Sequence, residues 1–163
     1  HIVLTTLHTN DATGAVPRLL TMGVKPYVIA PAVNAIIAQR LVRRLCPHCM
    51  KNAEIDEPTM QKIKTILDEI PTTSEIVVPT ELHFYVSTGC DQCAGLGYKG
   101  RVGVYEVMEV SDKMKEMILT EPSGITLRKL AIEQGTISMA QDGLLKALNK
   151  LTDVTEVFRV TGG

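Results

Sequence analysis

The sequence predicts an α/β fold with a small cysteine-pinned subdomain and a C-terminal helical bundle. Three observations lead to this prediction. The chain opens on an apolar, β-branched run, two Cys-x-x-Cys pairs enclose a region of short alternating strands, and capping residues follow one another at short intervals towards the C-terminus. An apolar β-branched run is typical of a buried strand, and closely spaced caps indicate short, packed helices.

The N-terminal region is predicted to form a strand and then a helix. The strand covers His1–Leu7 (HIVLTTL). Asn10 or Asp11 can cap the helix that follows, and Gly23 suits the position just after its last turn. Pro17 should kink this helix or delay its start, because proline donates no backbone hydrogen bond.

A second helix and a short strand are predicted before the first cysteine. Pro26 suits the first helical position, so we expect an Ala-rich helix from Pro26 to about Arg40, with an irregularity at Pro31. Leu41–Leu45 reads as a strand that leads into Cys46. The segment 52–79 is polar and weakly patterned, and its one predicted helix covers 58–70.

The second half of the chain is predicted to contain two strands and then only helices. The strands, Leu82–Val86 and Val102–Val110, flank the Gly-rich segment Cys90–Gly103 and complete a small antiparallel subdomain. Each later helix is expected to begin at a hydroxyl cap. The predicted caps and helices are Ser111 for 112–119, Thr126 for 127–134, Ser138 with Gln141 for the helix holding Leu144 to Leu148, and Thr152 for 153–159.

The composition excludes several classes of function. The 163 residues are 45% hydrophobic, only 4% are aromatic, and there is no Trp, so we expect an aliphatic core. Seventeen Lys and Arg against eighteen Asp and Glu give a net charge of −1, which is no basic footprint for nucleic acid. No apolar run approaches the roughly 20 residues of a membrane span.

The four cysteines predict a metal site. Cys46-Pro47-His48-Cys49 and Cys90-Asp91-Gln92-Cys93 are two Cys-x-x-Cys pairs, separated by the segment 50–89. Each pair can direct two thiolates at one centre, and two pairs complete a tetrahedral site. Zinc fits best, because it favours thiolate sulfur and needs no redox chemistry. Such a closed site would be structural, contributing on the order of 10 kcal/mol to folding.

The cysteines also suggest three other interpretations. Buried free thiols are the plainest of them. A thiol oxidoreductase is the second, because Cys46–Cys49 resembles the active site of periplasmic thiol oxidases, although 50–57 makes a poor helix and a second Cys-x-x-Cys has no place in that fold. The segment Cys90–Gly97 also resembles one zinc-binding repeat of J-domain chaperones. Those proteins carry several copies and Cys46–Ala53 does not match one, so this third interpretation is set aside.

The first strand is the second informative segment. Thr5, Thr6 and His8 would lie at its carboxyl end, where open α/β sheets bind ligands. Hydroxyl and imidazole groups there suit the sensing of a phosphate. The residue pattern by itself favours the plainer interpretation, a buried strand with capped polar residues.

Several blocks of this sequence, in order, resemble the type II secretion and type IV pilus traffic ATPases. HIVLTTLHTNDATGAVPRLLTMGV is similar to the His box of that family and its following helix. The resemblance continues through AQRLVRRLCPHC and GCDQCAGLGYKGRVGVYEVMEV to ITLRKLAIEQGTISMAQDGLLKALNKLT, leaving out about 52–82. The two cysteine pairs place the chain with the secretion and pilus-extension members.

The resemblance implies a function and a division of the chain. It implies a cytoplasmic hexamer, peripheral at the inner membrane, which binds ATP and Mg²⁺ and works with platform proteins of a secretion or pilus machine. His1 and His8 would sense the γ-phosphate, with Thr5 and Thr6 near the nucleotide. Residues 1–45 would belong to a RecA-like ATPase core, 46–103 to the zinc subdomain, and 104–163 to a return strand and helical bundle.

The phosphate-binding loop of such an ATPase does not occur in these residues. No GxxxxGK[ST] motif and no Walker-B segment is found. The chain begins at His1 inside an apolar run, so we expect that a preceding part of the protein carries the loop and that residues 1–163 alone hydrolyse no ATP. A zinc-stabilised interaction module is the alternative. No individual role is assigned to the basic residues Arg40, Arg43, Arg44, Lys99 and Arg101.

Overall fold

The computed structural model describes residues 1–162 and is mixed α/β. Seven helices and four strands are found in the described residues. In chain order they are α1 (Ala15–Thr21), α2 (Pro26–Ala32), β1 (Ala35–Leu45), β2 (Met50–Asn52), α3 (Glu57–Asp68), β3 (Tyr85–Ser87), β4 (Tyr98–Glu109), α4 (Asp112–Thr120), α5 (Gly124–Glu133), α6 (Met139–Leu148) and α7 (Val154–Thr161). Strand β1 pairs with β4, and β2 pairs with β3.

The chain forms two compact units, each built from two separate stretches. The first unit comprises residues 1–38 and 106–136, and the second comprises 39–105 and the stretch that begins at Ile137. The chain passes from the first unit to the second within β1 and returns within β4. Helices α4 and α5 therefore belong to the first unit, and α6 and α7 to the second.

The first unit is held by an aliphatic core. Helices α1, α2, α4 and α5 contribute most of it, as their apolar positions recur at helical spacing. The fully or nearly fully buried members include Val16, Ile29, Met108, Met114, Ile118 and Leu127. Pro26 occupies the first turn of α2, and Gly23 follows α1 with a φ of +89°, both as the sequence predicts.

The second unit has its own core between α3, α6 and α7. Ile63, Phe84, Leu144 and Val157 are at most 3% exposed within it. A Cβ at Gly143 would lie 2.7 Å from the Cγ1 of Val157, so glycine allows α6 and α7 to approach closely. The antiparallel pair β2–β3 has the register Met50↔Ser87, Lys51↔Val86 and Asn52↔Tyr85.

Of the caps predicted for α4 to α7, two are confirmed and two are wrong. The cap predicted for α1 at Asn10 or Asp11 is also wrong, because α1 begins at Ala15 with Gly14 as its N-cap. Ser111 accepts from the N–H of Met114, and Ser138 forms the capping box with Gln141. α5 is capped by Ser123 rather than Thr126, whose hydroxyl donates to the Glu121 carbonyl. α7 is capped by Asp153 rather than Thr152, because the Thr152 hydroxyl instead donates to the Arg43 carbonyl.

The predicted strand His1–Leu7 does not form. Residues 1–9 have no regular secondary structure, and the side chains of Ile2 and Leu4 are 95% and 93% exposed. A strand requires a partner for its backbone groups, and no strand of the described residues pairs with this segment. The apolar pattern indicates that the segment is suited to burial. It does not provide the second strand that a sheet requires.

The second predicted helix is much shorter than expected. α2 ends at Ala32, and β1 already begins at Ala35. Pro31 offers no N–H to the helix, and the residues Val33, Ile36 and Ile37 that follow favour extended backbone. The strand expected over Leu41–Leu45 therefore extends over eleven residues.

Three wider predictions concern the architecture of the whole chain. The division at residues 45 and 103, the RecA-like core and the C-terminal bundle remain predictions. Of the helices in the described part of the chain, none combines the length and apolarity that a membrane crossing requires.

Candidate metal centre

The two cysteine pairs meet in the second unit. The Sγ atoms of Cys46, Cys49, Cys90 and Cys93 all lie within 4.8 Å of one another. The distances are 3.9 Å from Cys46 to Cys90, 3.9 Å from Cys49 to Cys93, and 3.8 Å from Cys90 to Cys93. Residues that are far apart in sequence thus present four sulfur atoms to one point.

The first pair lies in the turn between two strands. Cys46 directly follows β1 and Cys49 directly precedes β2, so both are fixed by flanking ladders. The Cys46 N–H donates to the Gly97 carbonyl at 2.9 Å. The Ser87 hydroxyl donates to the Cys46 carbonyl at 3.2 Å, which ties this turn to β3.

The second pair lies in a tight turn in which backbone N–H groups donate to the sulfur of Cys93. Cys90 precedes the 3₁₀ turn Asp91–Cys93, and the N–H groups of Cys90 and Gly97 both donate to the Cys93 Sγ at 3.2 Å. Ala94 and Gly97 have φ values of +51° and +76°. These left-handed residues turn the chain back, so that the Gly97 N–H reaches the sulfur.

The arrangement passes the geometric test for tetrahedral zinc. With a Zn–S distance of about 2.3 Å, two ligands of a tetrahedron lie about 3.8 Å apart. The three sulfur–sulfur distances of 3.8–3.9 Å match this value. They are far longer than a disulfide bond of about 2.05 Å, and all four cysteines are free.

The local hydrogen bonds also favour a thiolate at Cys93. Burial opposes ionisation of this thiol, but the N–H groups of Cys90 and Gly97 outweigh it and lower its pKa to about 7. Burial raises the pKa of the Cys90 thiol to about 11. A bound cation favours ionisation of all four thiols, because thiolates are the form that ligates zinc.

The donor set indicates a structural role for the metal. Four protein sulfur atoms fill a tetrahedral shell, and such a site leaves no open position for a substrate or water. It would cross-link the end of β1 to the Gly-rich turn before β4. The four residues predicted as metal ligands are therefore brought together as expected.

The residues predicted to sense phosphate lie in the first unit. His1, Thr5, Thr6 and His8 are exposed and belong to the irregular segment that precedes α1. The structure gives them no hydrogen-bond partner among the described residues. Their roles remain predictions.

The structure adds an ion-pair cluster that sequence reasoning missed. Glu156 has no solvent exposure, and it accepts from Arg43 at 2.6 Å and from Arg159 at 2.7 Å. Arg43 also lies over the Tyr98 ring at 4.0 Å. Arg43, Arg159, Arg101 and Leu41 line an open pocket of ≈ 520 Å³. The alternation of β1 could have placed Arg43, but nothing in the sequence marks Glu156 as its partner.

Comparison with known proteins agrees with the resemblance to the secretion and pilus ATPases. Residues 1–159 match the family described as "Type II/IV secretion system protein". The chain is 42% identical to the type IV pilus assembly ATPase PilB of Myxococcus xanthus, covering 96% of this chain and 26% of that protein. It is 40% identical to PilB of Pseudomonas aeruginosa, covering 99% and 27%. It is 38% identical to the type II secretion system ATPase E of Vibrio cholerae, covering 99% and 30%.

Proposed function

Because the chain belongs to the type II/IV secretion system protein family, we propose that it is the C-terminal segment of a hexameric ATPase. This ATPase powers assembly of a type II secretion pseudopilus or a type IV pilus. The observation that carries the proposal is the match over residues 1–159 to a family whose similar members are named as ATPases of these machines. The chain spans about a quarter to a third of the length of those relatives.

The nucleotide-related part of the proposal concerns residues 1–45, as part of a RecA-like core. His1 and His8 respond to the γ-phosphate of Mg²⁺-bound ATP, and Thr5 and Thr6 lie near it. Their exposure supports this role, because a group that senses a ligand must reach it. Sensing fits an imidazole better than general-base work, since phosphoryl transfer depends mostly on positioning and charge neutralisation.

The zinc-related part of the proposal concerns residues 46–103. Zinc held by Cys46, Cys49, Cys90 and Cys93 supplies a structural cross-link, and the sulfur geometry supports it. Residues 104–163 complete the segment with a return strand and helices. The hexamer works at the cytoplasmic face of the inner membrane, with the platform proteins of its machine as partners and no nucleic acid.

Residues 1–163 alone hydrolyse no ATP. They contain no GxxxxGK[ST] loop to hold the β- and γ-phosphates, so positioning and charge neutralisation cannot be achieved within them. ATP hydrolysis requires the full-length protein.

The experiment compares ATP hydrolysis by the full-length hexamer and by residues 1–163. We expect turnover only from the former, and a kcat at least about tenfold lower for His8→Ala. His83→Ala is the matched control, because His83 is an exposed histidine of the second unit. Sustained turnover by residues 1–163 alone, or an inactive full-length hexamer, would contradict the proposal.

A second candidate function is a zinc-stabilised interaction module. Leu96 favours it, because this apolar side chain is 72% exposed in the turn after Cys93. Leu96→Asp should then leave zinc content and ATP turnover intact while weakening binding to the platform protein. The four-sulfur geometry supports a metal over a thiol oxidoreductase, since each thiol pair faces the other pair.

A further inference from the structure

The segment that follows His8 is fixed by a buried carboxylate on β4. The N–H of Ala12 donates to the Oε1 of Glu106 at 2.8 Å. Ala12 has no solvent exposure, and Glu106 is only 7% exposed. The chain is therefore free and irregular through His8, and it becomes fixed four residues later.

A second contact fixes the same turn from α5. Asp11 accepts from the Gly14 N–H at 2.7 Å and from the Thr13 hydroxyl at 3.1 Å. Its other carboxylate oxygen pairs with Arg128. One residue thus closes the turn that begins α1 and also binds α5. We call Glu106, Asp11 and Arg128 the anchor.

The burial of Glu106 is not explained by stability alone. Burial raises the pKa of this carboxyl, although the Ala12 N–H opposes the shift, and the charged groups that face it are Asp11 and Arg128. The backbone N–H groups of Ala12 and Thr13 both favour the charged form, yet burial outweighs them, because a buried carboxylate loses much of its solvation. An apolar residue at this position of β4 would pack more favourably, so the acceptor atom itself is what the position requires.

We propose that Glu106 is a positioning residue that, through the anchor, sets where His8 lies relative to the nucleotide. The inference rests on the proposed function of His8. Four residues span at most about 14 Å, so fixing Ala12 limits how far His8 can lie from the anchor even though its own segment is irregular. Because Arg128 lies on α5 and Glu106 on β4, any shift between these two elements of the first unit moves the histidine.

The test uses the full-length hexamer and a set of variants at two acidic positions. Glu106→Ala removes the acceptor, and Glu106→Gln keeps an acceptor oxygen of similar size. Glu109→Ala is the matched control, because Glu109 is an exposed glutamate of the same strand. The measurements are kcat and KM for ATP, each made with His8 intact and with His8→Ala.

A positioning role predicts a specific pattern of fold-changes. We expect Glu106→Ala to lower kcat about tenfold or more with little change in KM, since misplacement by about 1 Å can cost a hundredfold. Glu106→Gln should stay within about threefold of the wild type, because its side-chain carbonyl still accepts the Ala12 N–H. In the His8→Ala background, Glu106→Ala should lower kcat less than about twofold further.

Three outcomes would overturn the inference or its anchor, and a fourth concerns the function instead. Fully additive effects of Glu106→Ala and His8→Ala would show that Glu106 does not act through His8. An unchanged kcat in Glu106→Ala would do the same. If His8→Ala itself leaves kcat unchanged, the proposed sensing role fails. Hydrogen exchange of a peptide covering 9–16 tests the anchor independently of turnover. Exchange in this peptide should be faster in Glu106→Ala than in the wild type and unchanged in Glu109→Ala. Equal exchange rates in the two variants would overturn the anchor.

Discussion

The buried carboxylate of Glu156 should be a main determinant of stability in the second unit. It accepts four hydrogen bonds: from the Arg43 N–H at 2.9 Å, from the Arg43 guanidinium at 2.6 Å, and from the Arg159 guanidinium at 2.7 and 2.8 Å. Replacing Glu156 by Gln removes the charge and places an NH₂ group against these donors. The change therefore breaks a buried ion pair without altering the size of the side chain.

The magnitude follows from how exposed the partners are. Removing one partner of a buried pair costs about 3–5 kcal/mol. Arg43 and Arg159 keep 51% and 53% of their side chains exposed and can turn to water, so the cost should fall at the lower end. We expect a loss of about 3 kcal/mol, which for a chain of this size is a fall in Tm of roughly 6–12 °C.

Thermal and urea unfolding of the zinc-loaded protein measure this loss. Glu69→Gln is the matched control, because Glu69 is an exposed glutamate of the same unit and should change the free energy of unfolding by less than about 0.5 kcal/mol. A loss in Glu156→Gln no larger than that of the control would refute the reasoning, since it would mean that the ion pair only offsets its own desolvation.

The difference in the free energy of unfolding between the wild type and Glu156→Gln should also depend on pH, because Glu156 titrates. Hydrogen bonds from Arg159 and Arg43 hold the pKa of Glu156 well below its usual range, although burial opposes them. A depressed folded pKa contributes stability that is present above the unfolded value of about 4.3 and is lost as the pH falls towards the folded value. The advantage of the wild type over Glu156→Gln should therefore be constant near neutral pH and shrink below about pH 4.

Two further predictions concern the cysteine turn and a helix cap. Gly89→Ala should lower zinc affinity at least about tenfold in competition with a chromophoric chelator, because its Cβ would collide with the Gly95 carbonyl and displace Cys90. Gly95→Ala is its matched control: φ is +77° and nothing lies within 4 Å of its Cβ, so only about 1–2 kcal/mol of backbone strain is expected. Ser138→Ala should cost about 1 kcal/mol in urea unfolding by removing the cap of α6, whereas the exposed Thr155→Ala should cost less than half as much.

Local chemistry made part of this structure predictable from the sequence. Two Cys-x-x-Cys pairs can satisfy their geometry almost by themselves, and the capping box at Ser138 is complete within four residues. Both were predicted and both are found. The cap of α7 was missed because its outcome depends on a distant partner: Thr152 is drawn away by the Arg43 carbonyl.

Longer-range features were not readable from one sequence. The ion pair between Glu156 and Arg43 joins positions 113 residues apart, so no local pattern reports it. The Ala-rich sequence favours a longer α2, whereas Pro31 and the β-branched residues after it favour extended backbone. The helix therefore ends at Ala32. Weighting Val33, Ile36 and Ile37 more heavily would have shortened the predicted helix.

The failed strand His1–Leu7 ends just before the point where the buried Glu106 begins to hold the chain. An apolar segment can be extended and ready for a sheet, yet remain exposed until a pairing strand satisfies its backbone groups. The first unit does hold the end of that segment, at Ala12. Glu106 does this by accepting the Ala12 N–H, and Arg128 does it through Asp11. The anchor therefore gives the histidine segment a defined attachment even though no strand of the described residues pairs with it.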